Sequence, residues 1–179
     1  MVLLEMYTSK DVAAVAVCSA LWGVLNAWLS PIIWQLTHLP FLCDMLAFIA
    51  LILVIWWTRK FGAASFVGLV VAAMTLMVTP TAFQTLAFVV AAMVFDIVTR
   101  TLGYGRLFKN LAWGGVVLVV SSVLCAGLAG AIIGASFMGF KTLQAILTFG
   151  GLHAIGGLIG GVIGVVVVNA LVTRHIKTI

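Results

Sequence analysis

Polar side chains set inside apolar runs are where this sequence could do chemistry. The chain has four carboxylates, Glu5, Asp11, Asp44 and Asp96. The first two precede the first apolar run. Asp44 and Asp96 fall within runs, where an aspartate at mid-helix costs about 2.5–3.5 kcal/mol on insertion scales. Such a residue needs a partner. Asp96 has Arg100 one helical turn away, so an i,i+4 pair near the membrane interface accounts for it. Asp44 has no Lys or Arg nearby in the sequence. A neighbouring helix, water or a ligand must meet it, and the sequence leaves open which.

Further hydrogen-bonding groups share the half of the membrane that holds Asp44. They are Asn26 in the first run, Gln84 at the start of the fourth, and Gln144, Thr148 and His153 along the last. His153 is the deepest, either as a helix–helix hydrogen-bond partner or as a ligand-binding group. Trp22 and Trp28 border Asn26, while Trp34, Gln35 and His38 occupy a stretch without Lys or Arg. Trp at an interface is normally an anchor, and Trp28, Trp56 and Trp57 read that way. Trp34, beside Pro31 and His38, has the alternative of serving as a lid over a site.

Catalytic signatures are missing from the sequence. Gly134-x-x-x-x-Gly139 followed by Phe140, Lys141 and Thr142 is a near miss to a P-loop, with the lysine one residue too late and no strand before it. No HExxH, metal-type histidine pair or GxSxG occurs. The cysteines, Cys18, Cys43 and Cys125, form no CxxC pair and read as small apolar residues, so neither a disulfide nor a metal is expected. Asp44 with His153 is the only ionisable couple at one depth, and nothing in the sequence aligns it as acid and base. The expectation is a non-enzymatic protein without cofactor.

The elements that must position these groups follow from composition. Of 179 residues, 65% are hydrophobic and only 7% charged, against about 25% charged in soluble domains; mean hydropathy is +1.34. Such a chain cannot build a polar exterior, so it is an integral membrane protein in a lipid bilayer. Spanning helices need about 20 apolar residues. Charges and prolines mark six of them, at about residues 12–29, 40–57, 62–79, 82–99, 111–136 and 143–172. A loop is expected at 30–39 and a connector at 101–109. Strands are excluded because open sheets leave backbone groups unsatisfied in lipid. The expected fold is thus all-α, a single domain over 1–179 made of one six-helix transmembrane bundle.

Basic residues give the orientation. Lys10, Arg59, Lys60, Arg100, Arg106, Lys109, Arg174 and Lys177 fall on one side of a six-span topology and Lys141 on the other. Eight against one puts both termini in the cytoplasm by the positive-inside rule. The net charge of +5 is explained by these loops, and no nucleic-acid partner is expected. Small residues mark close helix approaches. The first span carries Ala13, Ala16 and Ala20; the last carries Gly156-x-x-x-Gly160-x-x-x-Gly164 beside Gly157-x-x-x-Gly161. The glycines serve internal packing, while the alanines face either another span or a partner protein.

Six spans with cytoplasmic termini, Ala16-x-x-x-Ala20 in the first span, the basic turn Arg59-Lys60 leading into Phe61-Gly62-Ala63-Ala64-Ser65-Phe66-Val67-Gly68, and a glycine-rich last span together resemble the substrate-binding S components of energy-coupling factor (ECF) vitamin transporters. The resemblance is nearest the group linked to thiamin and its hydroxymethylpyrimidine precursor. It implies a protein of a prokaryotic plasma membrane that captures a small vitamin from outside. The vitamin then passes through a separate transmembrane coupling protein driven by two ATPase subunits. It implies an external pocket built from spans 4–6 under the connection between spans 1 and 2, with Ala13, Ala16 and Ala20 on the coupling face. The expected binding residues are Trp22, Asn26, Trp34, His38, Asp44, Gln84, Gln144, Thr148 and His153.

Overall fold

The computed structural model describes residues 7–174; Glu5, His175 and Lys177 lie outside them. Seven α-helices follow in order: α1 (Ser9–Thr37), α2 (Phe41–Thr58), α3 (Ala63–Val78), α4 (Thr85–Leu102), α5 (Tyr104–Lys109), α6 (Leu111–Ile132) and α7 (Leu143–Thr173). The last turn of α6 widens into a π-helical stretch, Ile133–Phe137. No strand occurs among the described residues. Local chemistry sets several of the starts. Thr8 and Asp11 form a reciprocal capping box at α1, Asn110 accepts from the amides of Ala112 and Trp113 at α6, and Thr142 accepts from Ala145 at α7. Each satisfies backbone donors that a helix start leaves orphaned.

Five of these helices are long and apolar enough to cross a bilayer, so the chain is a multi-pass membrane helical bundle. Helix α3 has only 16 residues and at about 1.5 Å per residue is roughly 24 Å long, against about 30 Å of hydrocarbon. The exterior fits lipid: Val17, Leu124, Val166 and Met77 are 57, 68, 60 and 85% exposed.

Around the bundle the helices pack in the order α1, α2, α7, α6, α4, α3 and back to α1. Helix α2 also touches α3 and α6, which makes it the central element. Its side chains Ala47, Phe48, Ala50, Leu51, Ile52, Val54, Ile55 and Trp56 are at most 1% exposed. A helix that is apolar on every side is a buried one. This corrects the reading of Trp56 as an interface anchor: it is a core residue, because neighbours enclose α2 on all sides. Trp28, 74% exposed, keeps the position of an anchor.

The two glycine stripes of α7 each admit a different neighbour. A Cβ on Gly156 would collide with the Phe41 carbonyl oxygen, and one on Gly160 with the backbone of Met45. This stripe lets α2 lie against α7, parallel to it. A Cβ on Gly157 would come within 2.5 Å of Ala126 and 2.6 Å of the Ser122 carbonyl, so the second stripe admits α6. The alanines of α1 behave otherwise. Ala13, Ala16 and Ala20 are exposed on the outer face, while Ala14, Cys18 and Trp22 point into the bundle.

Three further expectations change. The stretch 30–39 is not a loop: α1 continues through Thr37 and is capped by His38 at φ 54°. Pro31 lies inside the helix and cannot donate to the carbonyl of Ala27, yet Ser30 Oγ donates to Asn26 Oδ1 at 2.7 Å and the helix resumes. The connector 101–109 contains the short helix α5, anchored by buried Tyr104, Leu107 and Phe108. Asp96 is held by α3 rather than paired with Arg100. Its Oδ2 accepts from the Ser65 amide at 3.0 Å and the Ser65 hydroxyl at 2.9 Å, and Tyr104 donates to Oδ1 at 3.4 Å. A carboxylate here meets the orphan donors at the start of α3. The Arg100 guanidinium instead lies over the Phe61 ring.

Contacts at this end of the bundle gather the basic residues. Lys60 Nζ lies 2.8 Å from Asp11 Oδ2, tying the end of α2 to the start of α1, and Arg59 sits over Phe108. Tyr7 donates to the Phe61 carbonyl at 2.9 Å, and burial first, then Asp96 and Asp11, push its hydroxyl up to about 12, so it stays a donor at any physiological pH.

Candidate functional site

A cavity of about 390 Å³ opens at the other end. The second half of α1, the starts of α2, α4 and α7 and the ends of α3 and α6 all contribute to its wall. Trp22, Trp34, Phe88 and Phe149 supply aromatic surface; Asn26, Ser30, Gln84 and His153 supply hydrogen-bonding groups; Leu42, Val78, Ile133 and Met138 add apolar surface. Ala27 is in the wall too, and its carbonyl is the one that Pro31 leaves without a donor. Below the cavity, α2 presents an unbroken apolar sequence from Met45 to Trp57.

His153 is the most closely held of the polar groups. It is 2% exposed, with Phe149 at 4.8 Å and Phe88 at 6.2 Å between ring centroids. On its other side is Gly130 of α6, where any Cβ would come within 2.6–2.7 Å of the imidazole. Its Nδ1 lies 2.7 Å from Asp44 Oδ2. The close passage of α7 over α2 at Gly156 makes that distance possible, since a side chain there would strike Phe41 and the Asp44 Cβ. The ionisable couple identified in the sequence is therefore in direct contact.

Asp44 itself is fully buried. It stands behind His153 and Cys43, which form the cavity wall. Cys43 Sγ is 3.6 Å from Asp44 Oδ2 and donates to the Pro40 carbonyl at 2.6 Å. Asp44 Oδ1, His153 Nε2 and the Trp22 indole Nε1 have no hydrogen-bond partner among the described residues. Buried polar atoms are nearly always satisfied, so three orphans at or beside one cavity make it the candidate binding site.

The remaining sequence candidates divide. Trp22, Asn26, Trp34, Gln84 and His153 meet at the cavity. His38 does not line it; it caps α1 and sets its ring edge-on to Trp34 at 6.1 Å, positioning that indole. Gln144 and Thr148 line a separate shallow recess with Phe140, Thr142 and Leu152. They lie on a neighbouring stripe of α7, four residues apart and so on one helical face. Cys43 joins the wall beside Asp44, although a lone cysteine in an apolar run reads as a small hydrophobe. Phe88 and Phe149 join it as well, and phenylalanine in an apolar helix carries no signal of a site.

Most buried hydroxyls outside the cavity wall are satisfied by their own helix, while Ser19 Oγ of α1 has no hydrogen-bond partner among the described residues. Thr58, Thr99, Ser121 and Ser122 each donate to a carbonyl of their own helix. They form no polar path from the cavity toward the basic end.

Comparison with family models, curated proteins and solved structures finds no match.

Proposed function

We propose that the chain is the membrane-embedded capture subunit of an ECF-type vitamin uptake system. It takes a small heteroaromatic vitamin, thiamin or its hydroxymethylpyrimidine precursor, from outside a prokaryotic cell. One observation carries this reading: an aromatic-walled cavity at the end of the bundle away from the basic residues, with unpaired polar atoms around it and no polar route beyond. Ligand sites typically combine apolar walls with a few orienting polar groups in about 300–1,000 Å³, and 390 Å³ is within that range.

The polar set supports the ligand class. Asn26 and Gln84 each offer a donor and an acceptor, which suits ring nitrogens and an exocyclic amine. His153, backed by Asp44, adds a group that can accept or donate and tolerates a cationic ligand. A carboxylate vitamin would call for Lys or Arg, and only Lys141 falls on this side of the six-span topology.

The reading of delivery rests on α1 and on the charge pattern. The six-span topology with cytoplasmic termini follows from the eight-to-one split of basic residues, α3 being the short span. The outward Ala13, Ala16 and Ala20 offer a smooth helix face on which a transmembrane coupling protein with two ATPases would dock.

The test is isothermal titration of the detergent-purified protein, in the presence of a chelator, with thiamin, hydroxymethylpyrimidine, riboflavin and biotin. Tight binding of one of the first two is expected. Tight binding of biotin, or of none of the four, would overturn the proposal.

A further inference from the structure

Cys43, Asp44 and His153 bring a thiol, a carboxylate and an imidazole together, with one donor atom from each within 4.8 Å of the others. We propose that these three side chains form a site for one divalent transition-metal ion of the zinc class, independent of any organic ligand.

The donor set selects the ion. Sulfur with nitrogen and a single carboxylate oxygen suits zinc or cobalt, whereas magnesium and calcium take oxygen ligands. The donors come from α2 and α7, whose backbones the Gly156 contact locks together, so the ligands are held on rigid elements. Two of the three residues are unsatisfied where they stand: Asp44 Oδ1 and His153 Nε2 have no partner among the described residues, with Asp44 and His153 0 and 2% exposed.

Charge gives an independent argument. A buried carboxylate must be neutralised, paired or bound to a metal; among the described residues Asp44 meets only His153 and Cys43, with no lysine or arginine against it. Binding transfers the Cys43 thiol proton to solvent through the cavity, replaces the S–H bond with a metal–thiolate bond, and moves the proton of the Asp44–His153 contact to His153 Nε2, which leaves a neutral imidazole with Nδ1 free to ligate. One thiolate, one carboxylate and one divalent cation then sum to zero, which suits a low-dielectric interior. Tetrahedral metal–ligand lengths of about 2.0–2.3 Å separate the donor atoms by roughly 3.3–3.7 Å. The 2.7 Å Asp44–His153 contact therefore opens by under about an ångström, and Cys43 releases the Pro40 carbonyl. Because Cys43 and His153 are in the cavity wall, the fourth position faces the cavity, as in metal sites that keep one exchangeable ligand.

The probe is Co²⁺, titrated into the full-length protein in detergent with no vitamin present. One ion per chain, with thiolate-to-cobalt charge-transfer absorption that Zn²⁺ displaces, is expected. Cys43→Ser should abolish that absorption while Cys125→Ser retains it. His153→Gln and Asp44→Asn should each weaken cobalt binding by more than about tenfold, and either one suffices if the other does not purify. Absence of the charge-transfer band in the native protein, or its survival in Cys43→Ser, would overturn the proposal. Because this titration contains no vitamin and the vitamin titration contains a chelator, each proposal fails separately.

Discussion

Asp44 and Asp96 are both 0% exposed, one toward each end of the bundle. Asp96 has three donors on its carboxylate, two from Ser65 and one from Tyr104, and the loop between α2 and α3 closes over it. Asp44 has an imidazole and a thiol beside one oxygen and, among the described residues, no hydrogen-bond partner on the other, and an aromatic cavity lies just beyond. Residue type and burial are the same, so neither distinguishes their roles. What differs is completeness: a carboxylate filled by its own protein holds helices together, while an incomplete one next to a cavity is available to a ligand.

The comparison is tested most severely by destroying the geometry that creates one side of it. Gly156→Leu sets a side chain against the Phe41 carbonyl and Asp44. Overpacking costs roughly 1–3 kcal/mol, more when backbone must move. The variant should lose more than about 3 kcal/mol of stability in detergent unfolding and should bind no ligand. An unchanged unfolding midpoint would mean that α7 does not need this approach.

Asp96→Ala removes a filled carboxylate and leaves the Ser65 donors unmet. A loss of about 3 kcal/mol in unfolding free energy is expected, with the ligand dissociation constant unchanged. If ligand affinity fell while stability held, the two aspartates would have exchanged roles.

Asp44→Asn should do the reverse. Removing the charge behind His153 should weaken vitamin binding by roughly 1.5–3 kcal/mol, the range for hydrogen bonds to charged groups. Unfolding should shift by less than it does in Asp96→Ala, because the isosteric amide can still face His153 Nδ1 and no longer carries a buried charge. Titration calorimetry and denaturation on the same preparation separate the two quantities.

The smallest effect on the cavity should come from α1's outer face. Ala16→Trp with Ala20→Trp adds bulk only where the helix is exposed, so binding should change by less than about 0.5 kcal/mol. Uptake in cells that supply the coupling protein should nevertheless stop. Loss of binding together with uptake would assign those alanines to internal packing.

The amino-acid sequence determined the class of this protein and most of its framework. A chain this apolar can be stable only with its backbone bonded inside helices and its surface in lipid, and periodic interruption by charges divides it into its long elements. The glycine stripes of α7 were legible because nothing but close approach calls for glycine every fourth residue in an apolar helix. The polar residues worth attention were legible too, since each is costly in lipid. Their partners were not. Arg100 is the near neighbour of Asp96 in sequence, yet Ser65, from another helix, meets it. Trp56 has the composition of an anchor, yet α2 is central and encloses it. Pro31 reads as a break, yet α1 continues through it to Thr37. Gln144 and His153 share one helix and one half of the membrane, yet a different stripe of α7 turns each toward a different recess. Only the tertiary structure decided these points, because they depend on which helix lies beside which and at what rotation. Hydrophobicity, which is non-directional, leaves both undetermined.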